Sequence, residues 1–232
     1  MSLRLSRKRI SRTTQANVVE YLRRVILSGE LQPGTRLVQS ELAGLLQVSV
    51  TPIREALWEL NSQGLIDLDA FRGAVVHTPT LKELEDIFEV RMALLPISIQ
   101  RGVNHITPKQ LTTAAHILEQ MESESDQTRW LEYNRDFHRQ LYGNQPNQHL
   151  QATLERMADI ATVYINLSFT KDDVPDDAQN SPHPLPQRWR SEQDHRAILE
   201  AYRQQDQALV TKLSLAHINS TLDAARNILK AQ

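Results

Sequence analysis

Residues 39–64 read QSELAGLLQVSVTPIREALWELNSQG, and their spacing predicts two short helices joined by a tight turn. The first helix, from Gln39 to Leu46, sets Leu42, Leu45 and Leu46 on one face. Gln47-Val48-Ser49 forms the turn, with Ser49 placed to accept a hydrogen bond from a free backbone N–H as an N-cap. In the second helix Ile53, Ala56, Leu57 and Leu60 fall at i, i+3, i+4 and i+7. Pro52 lies in the first turn, where no i−4 carbonyl bond is lost. At about 100° per residue, Thr51, Arg54, Glu55, Trp58 and Ser62 face away from the apolar stripe. An ordinary αα-hairpin satisfies this spacing. So does a helix-turn-helix that offers the start of its second helix to a DNA major groove.

The flanking residues favour the second reading. Upstream, Thr14 to Ser28 carries Val18, Val19, Leu22, Val25 and Ile26 on one side, with Gly29 fitting the helix end. Pro33-Gly34 gives a turn. Downstream, Leu65–Leu68 and Ala74–His77 read as two strands around an Asp69–Gly73 turn, which is the winged-helix order. Arg72, with Gly73 at the hairpin tip, is placed to reach a minor groove or a phosphate. His77–Pro79 reads as a linker, dividing the chain into residues 1–78 and 79–232.

Beyond the linker the pattern is helical, making the chain mostly α: a winged helix-turn-helix with a small β-hairpin wing, then an all-α bundle. Thr80-Leu-Lys-Glu83 is a capping box that opens the first helix. Helices are predicted near 81–102, 108–125, 128–142, 146–168, 191–204 and 206–230. Thr107-Pro108 marks one start and Gly143 one end. Thr170–Gln187, rich in Pro and Asp, reads as a loop.

Composition bounds the function. The 232 residues are 40% hydrophobic and 23% charged, as in a soluble globular protein. The chain has no cysteine, so a disulfide framework and thiolate metal sites are excluded. No apolar run approaches the ~20 residues of a membrane helix. The basic start lacks the apolar core of a secretory signal, so a cytoplasmic location is expected. The net charge of −2 hides an asymmetry. Residues 1–78 hold 10 Lys/Arg against 7 Asp/Glu, whereas the remainder holds 16 against 21. Arg4, Arg7, Lys8, Arg9 and Arg12 form a basic arm suited to phosphates.

The second region carries a histidine pattern. Asn134 and His138, four residues apart, share a helix face with Trp130, Tyr133, Phe137 and Leu141. His195 shares one with Ile198, Leu199 and Tyr202, and His217 continues the stripe of Val210, Leu213 and Ala224. Three imidazoles on apolar faces of three helices, with an amide beside the first, suggest a common polar site. Neutral imidazoles suit Zn²⁺ or Ni²⁺. A metal-free polar pocket is the alternative.

The N-terminal wording resembles the GntR superfamily of bacterial transcription regulators. The carrying residues are Pro33-Gly34-Thr35-Arg36-Leu37, Glu41-Leu42-Ala43, Val48-Ser49, Thr51-Pro52-Ile53-Arg54-Glu55-Ala56-Leu57 and Gly64-Leu65-Ile66. The region from Thr80 onward resembles the all-helical effector domain of the FadR-like branch, called FCD. In that family a metal is often held by an Asp, a His four residues later, and two further His. Tyr133-Asn134-Arg135-Asp136-Phe137-His138, Asp194-His195-Arg196-Ala197-Ile198 and Ala216-His217-Ile218 stand at those motifs. The resemblance therefore implies Asn134, His138, His195 and His217 as ligands of a divalent metal, with Asn134 replacing the usual Asp. It also implies Arg91 as an effector-binding residue, with Leu95 where relatives often carry Glu. On the DNA side, Ser40 and Val50 replace arginines of many relatives, while Arg54 is retained. Ser40, Ser49, Val50, Thr51, Arg54, Arg72 and Gly73 make up the implied DNA-reading set.

The expected function is a ligand-responsive repressor. It would bind palindromic operator DNA as a homodimer and take up a small carboxylate, with no membrane partner. A metal-sensing repressor and a His-metal enzyme are the alternatives. For an enzyme, Asp136 and Asp194 are the nearest general-base candidates, and Asp136 points about 160° away from His138 on helical geometry.

Overall fold

The computed structural model describes residues 15–69, 73–78, 80–168 and 186–231, without the side chains of 164–168, 186–190 and 228–231. The basic arm, Arg72 and most of the Thr170–Gln187 stretch lie outside the described residues. The chain forms two compact units, Met1–Pro79 and Thr80–Gln232.

The N-terminal unit contains α1 (Gln15–Leu27), β1 (Arg36–Leu37), α2 (Gln39–Leu46), α3 (Val50–Ser62), β2 (Ile66–Asp69) and β3 (Gly73–Val76). The apolar stripe of α3, formed by Ile53, Ala56, Leu57 and Leu60, is wholly buried. It meets Val18, Leu22 and Val25 of α1 and Leu42 and Leu46 of α2 in the same core. Each large side chain buried this way contributes about 1.5–3 kcal/mol of transfer free energy.

The wing is a three-stranded antiparallel sheet of order β1-β3-β2, where the sequence predicts a two-stranded hairpin. Arg36 lies opposite Val75, and Leu37 opposite Ala74. Two residues are too few to show a strand period, and their partners lie almost forty positions away. The hairpin strands also run one residue off the predicted limits, with Ile66 facing Val76 and Asp69 facing Gly73. Gly73 has φ 75, a left-handed conformation that glycine adopts without strain.

The C-terminal unit contains α4 (Leu81–Gly102), a 3₁₀ turn (Val103–His105), α5 (Pro108–Ser123), α6 (Gln127–Tyr142), α7 (Gln148–Ser168), α8 (Pro186–Arg203) and α9 (Gln207–Ala231). Helix α4 packs against α7 and α9, α5 against α6 and α8, and α8 against α9. Phe88, Phe137 and Tyr202 centre the core. Caps fix the starts: Thr80 accepts from the Glu83 N–H, and Thr107 and Gln110 form a reciprocal capping box. Helix α8 begins at Pro186, five residues before the predicted start. Pro186 and Gln187 therefore belong to that helix rather than to the predicted loop. Proline is favoured at a first helical position, where its missing N–H costs nothing. Among the described residues, no helix is long and apolar enough to cross a membrane.

The turn between α2 and α3 is closed by Gln47 at φ 57, ψ 45, with the Val48 N–H donating to the Ala43 carbonyl. A side chain in this left-handed region is strained, and glycine relieves the strain. Gln47→Gly should stabilise the N-terminal domain by about 0.5–1 kcal/mol in denaturant unfolding. A loss of stability would show that the turn is held by something other than its backbone geometry.

Candidate functional site

The exposed side of α3 is laid out by its period. Ser49, Val50, Thr51, Arg54 and Trp58 are all exposed, as is Ser40 on α2. Val50 and Trp58, 46% and 65% exposed, make this face partly apolar. Arg54 has no ion-pair partner among the described residues. Ser49 stands at the N-cap in extended conformation, but its side chain makes no capping hydrogen bond, contrary to expectation. The third helical residue, the usual donor to a cap, is Pro52, which has no N–H. The Ser49 hydroxyl and the first N–H groups of α3 therefore stay available to an anion such as a phosphate.

In the second unit, α6, α8 and α9 bring His138, His195 and His217 together, with one ring nitrogen of each within 4.8 Å of the others. Nε2 of His138 and Nε2 of His195 are 3.2 Å apart. Two nitrogens bound to one ion at about 2.1 Å stand about 3.0–3.4 Å apart, so this spacing fits a shared ion. His217 Nδ1 lies 3.2 Å from Asp194 Oδ2, which orients the ring and leaves Nε2 free to ligate. Asn134 Oδ1 is buried with no hydrogen-bond partner, one helical turn from His138. His138 is half-buried, His217 buried, and His195 fully so at 0% exposure. Burial holds the His138 and His195 pKa values well below the ordinary 6.5. His217 deepens both shifts, with Arg91 adding to the first and His138 to the second. Both rings are therefore neutral at pH 7 and keep lone pairs for an ion.

A cavity of about 560 Å³ opens over this floor, lined by Arg91, Leu95, Asn134, His138 and His217 among others. The Arg91 guanidinium carbon lies 4.9 Å from the Phe88 ring centroid. Arg91 has no carboxylate partner among the described residues, and burial pulls its pKa down to about 10. Tyr142 stacks on His138 with centroids 5.4 Å apart, and its hydroxyl donates to Ser214 Oγ at 3.1 Å. Burial pushes the Tyr142 pKa up to about 12.

Comparison with known proteins assigns a family to both units. Residues 14–76 match the bacterial regulatory proteins of the gntR family, and residues 86–220, more than half of the chain, match the FCD domain. The chain is a GntR-family regulator of the FCD branch. It is 26% identical over 213 residues to the uncharacterized HTH-type transcriptional regulator YdhC of Bacillus subtilis, covering 90% of this chain and 89% of that one. It is 37% identical over 109 residues to the gluconate operon transcriptional repressor of Bacillus licheniformis, covering 47% and 44% respectively. The fold of McbR/YncC from E. coli superposes with a TM-score of 0.77 at 20% identity, covering 92% of this chain and 97% of that one.

The regulator's relatives control transcription and are not enzymes, which removes the catalytic alternative. The two candidate bases are otherwise engaged: Asp136 lies near Arg135 and Arg139, at 3.8 and 3.7 Å, and Asp194 pairs with His217. The orienting role of Asp194 was not legible in the sequence, because its partner lies 23 positions away on another helix. Tyr142 was missed for a similar reason. It reads as one more residue of an apolar face.

The depressed histidines make stability depend on pH. They stay neutral in the folded state but take up protons near pH 6.5 when unfolded. Their contribution is therefore present above 6.5 and lost as pH falls. In chelator-treated protein the unfolding free energy should fall below pH 6.5 by up to about 1.4 kcal/mol per pH unit for each histidine. Denaturant titrations at pH 7.5 and 5.5 measure it. Equal stabilities would contradict the burial of neutral rings.

Proposed function

We propose that this regulator is a cytoplasmic, homodimeric repressor that leaves a palindromic operator when a small carboxylate binds its C-terminal domain. The supporting observation is the buried, unpartnered Asn134 Oδ1 beside three converging imidazoles. A buried polar atom left unpaired costs about 1–3 kcal/mol, and a metal ion coordinated by the Asn134 oxygen would remove that cost. We assign Asn134, His138, His195 and His217 as its ligands. The nitrogen-rich set favours Zn²⁺ or Ni²⁺. Ser40, Ser49, Val50, Thr51, Arg54, Arg72 and Gly73 are assigned to operator DNA, with residues 1–78 as the DNA-binding domain and 79–232 as the effector domain.

The ligand set carries no negative charge. Such an ion would supply an undiminished Lewis-acidic charge at the cavity floor. Arg91 places a second positive charge in the same wall, with a fork that matches a carboxylate. The cavity thus attracts an anion at two points, and a small carboxylate satisfies both. Its effect on DNA requires unequal affinity for two arrangements of the dimer. Two-fold symmetry of the protein matches a palindromic site. The relative that represses a gluconate operon supports the repressor sign.

Protein purified without chelator should carry close to one ion per chain by elemental analysis. Asn134→Asp should tighten metal binding and weaken the carboxylate, because the new anion neutralises part of the charge that attracts it. Calorimetry on metal-loaded wild type and variant, with a panel of small hydroxy- and dicarboxylates, measures both. Tighter carboxylate binding by the variant at equal metal occupancy would refute the charge argument.

A further inference from the structure

Helix α3 presents a row of side chains that its own domain leaves uncovered. Val50, Arg54 and Trp58 follow one another at i, i+4 and i+8, within about 80° of arc and outside the buried stripe of Ile53, Ala56, Leu57 and Leu60. Trp58 has the largest side chain of the row and is 65% exposed. Its indole N–H has no hydrogen-bond partner among the described residues, so the side chain is not spent on the packing of the domain. Helix α3 holds one base, Arg54, against two acids, Glu55 and Glu59. Its side chains therefore bring little charge to phosphates, and apolar surface is what the row offers a duplex.

Along the helix axis Val50 and Trp58 stand about 6 Å on either side of Arg54, and the row spans about 12 Å, the width of a major groove. In that groove the base pairs differ in their donors and acceptors and in one apolar mark, the 5-methyl group of thymine. A guanidinium fork matches guanine O6 and N7. An isopropyl or indole surface offers no such pairing and matches the methyl group instead. That methyl projects beside its own sugar-phosphate strand, at the groove wall, where the far end of the row arrives.

We propose that Val50 and Trp58 read thymine methyl groups on either side of the base contacted by Arg54, with Trp58 the main specificity-determining residue of the half-site. This rests on the assignment of the α3 face to operator DNA above and names what its uncharged residues recognise. Operator DNA is the occupant because the apolar surface is continuous with Thr51 and Arg54 of that face.

The test uses the full-length protein and a duplex selected in vitro with it, read by fluorescence anisotropy. Selected half-sites should carry thymine beside the position whose preference Arg54→Ala relaxes. Trp58→Ala should weaken binding on the order of tenfold with an unchanged salt slope, since no phosphate charge is lost. Replacing that thymine by uracil removes only the methyl group. It should weaken the wild type by about fourfold, the effect of one buried methyl. The uracil penalty should vanish in Trp58→Ala, because the two changes remove the same contact. Wild-type affinity in Trp58→Ala, a flattened salt slope, a uracil penalty that persists in the variant, or half-sites without that thymine would overturn the inference alone. Full operator affinity in Arg54→Ala would overturn the assignment of this helix face, and the inference with it.

Discussion

Polar groups taken out of water must find partners, and the effector domain of this regulator is organised around a place where its own chain does not supply them. Asn134 Oδ1 is buried without a hydrogen bond, and the Nε2 atoms of His138 and His195 face each other at 3.2 Å. They sit on the same helix faces as Phe137, Ile198 and Leu199, which build the core. The faces that hold the fold together thus also deliver the donors to one point. Burial keeps the rings neutral, and neutrality leaves their lone pairs able to hold an ion. The same helices frame the cavity, so ligand and ion would share one wall.

Charge then sets what the cavity attracts. With Asn134 in the place of an acid, no carboxylate belongs to the donor set, and Asp194 is held one shell back on His217. Among the described residues Arg91 has no acid to pair with, and Leu95, one turn away, is buried. With an ion bound, that ion and Arg91 would place two cationic points on one cavity, the charge arrangement that the proposed carboxylate requires. In the N-terminal domain Pro52 plays a comparable part. By removing the N–H that would bind Ser49, it leaves the start of α3 open toward a phosphate.

Much of this was readable from residues alone, for physical reasons that differ by element. Helix α4 was read to its observed ends because Thr80 caps it and its apolar period is long. Helices α2 and α3 were read because their stripes are dense and a turn separates them. Strand β1 was not, since two residues carry no period and owe their conformation to β3. The start of α8 is hidden in the sequence because Pro186, its first residue, lies inside the Pro-rich Thr170–Gln187 stretch. The three histidines could be assigned to apolar faces from the sequence. Their convergence could not, because it depends on how three helices pack. Asp194 illustrates the limit, since only the packing of α8 against α9 reveals its partner.

An ion held by Asn134 and three histidines would serve to bind a carboxylate whose arrival releases DNA. The direct measurement is fluorescence anisotropy of a labelled operator duplex, selected in vitro with the wild-type protein. The titration starts from metal-stripped regulator and adds Zn²⁺ or Ni²⁺ alone, then small carboxylates. Operator binding should be nearly unchanged by the ion alone and relieved by a carboxylate only once the ion is present. Release or capture of the operator by the ion alone would make the metal itself the signal, and relief by carboxylates in stripped protein would remove the metal from the mechanism.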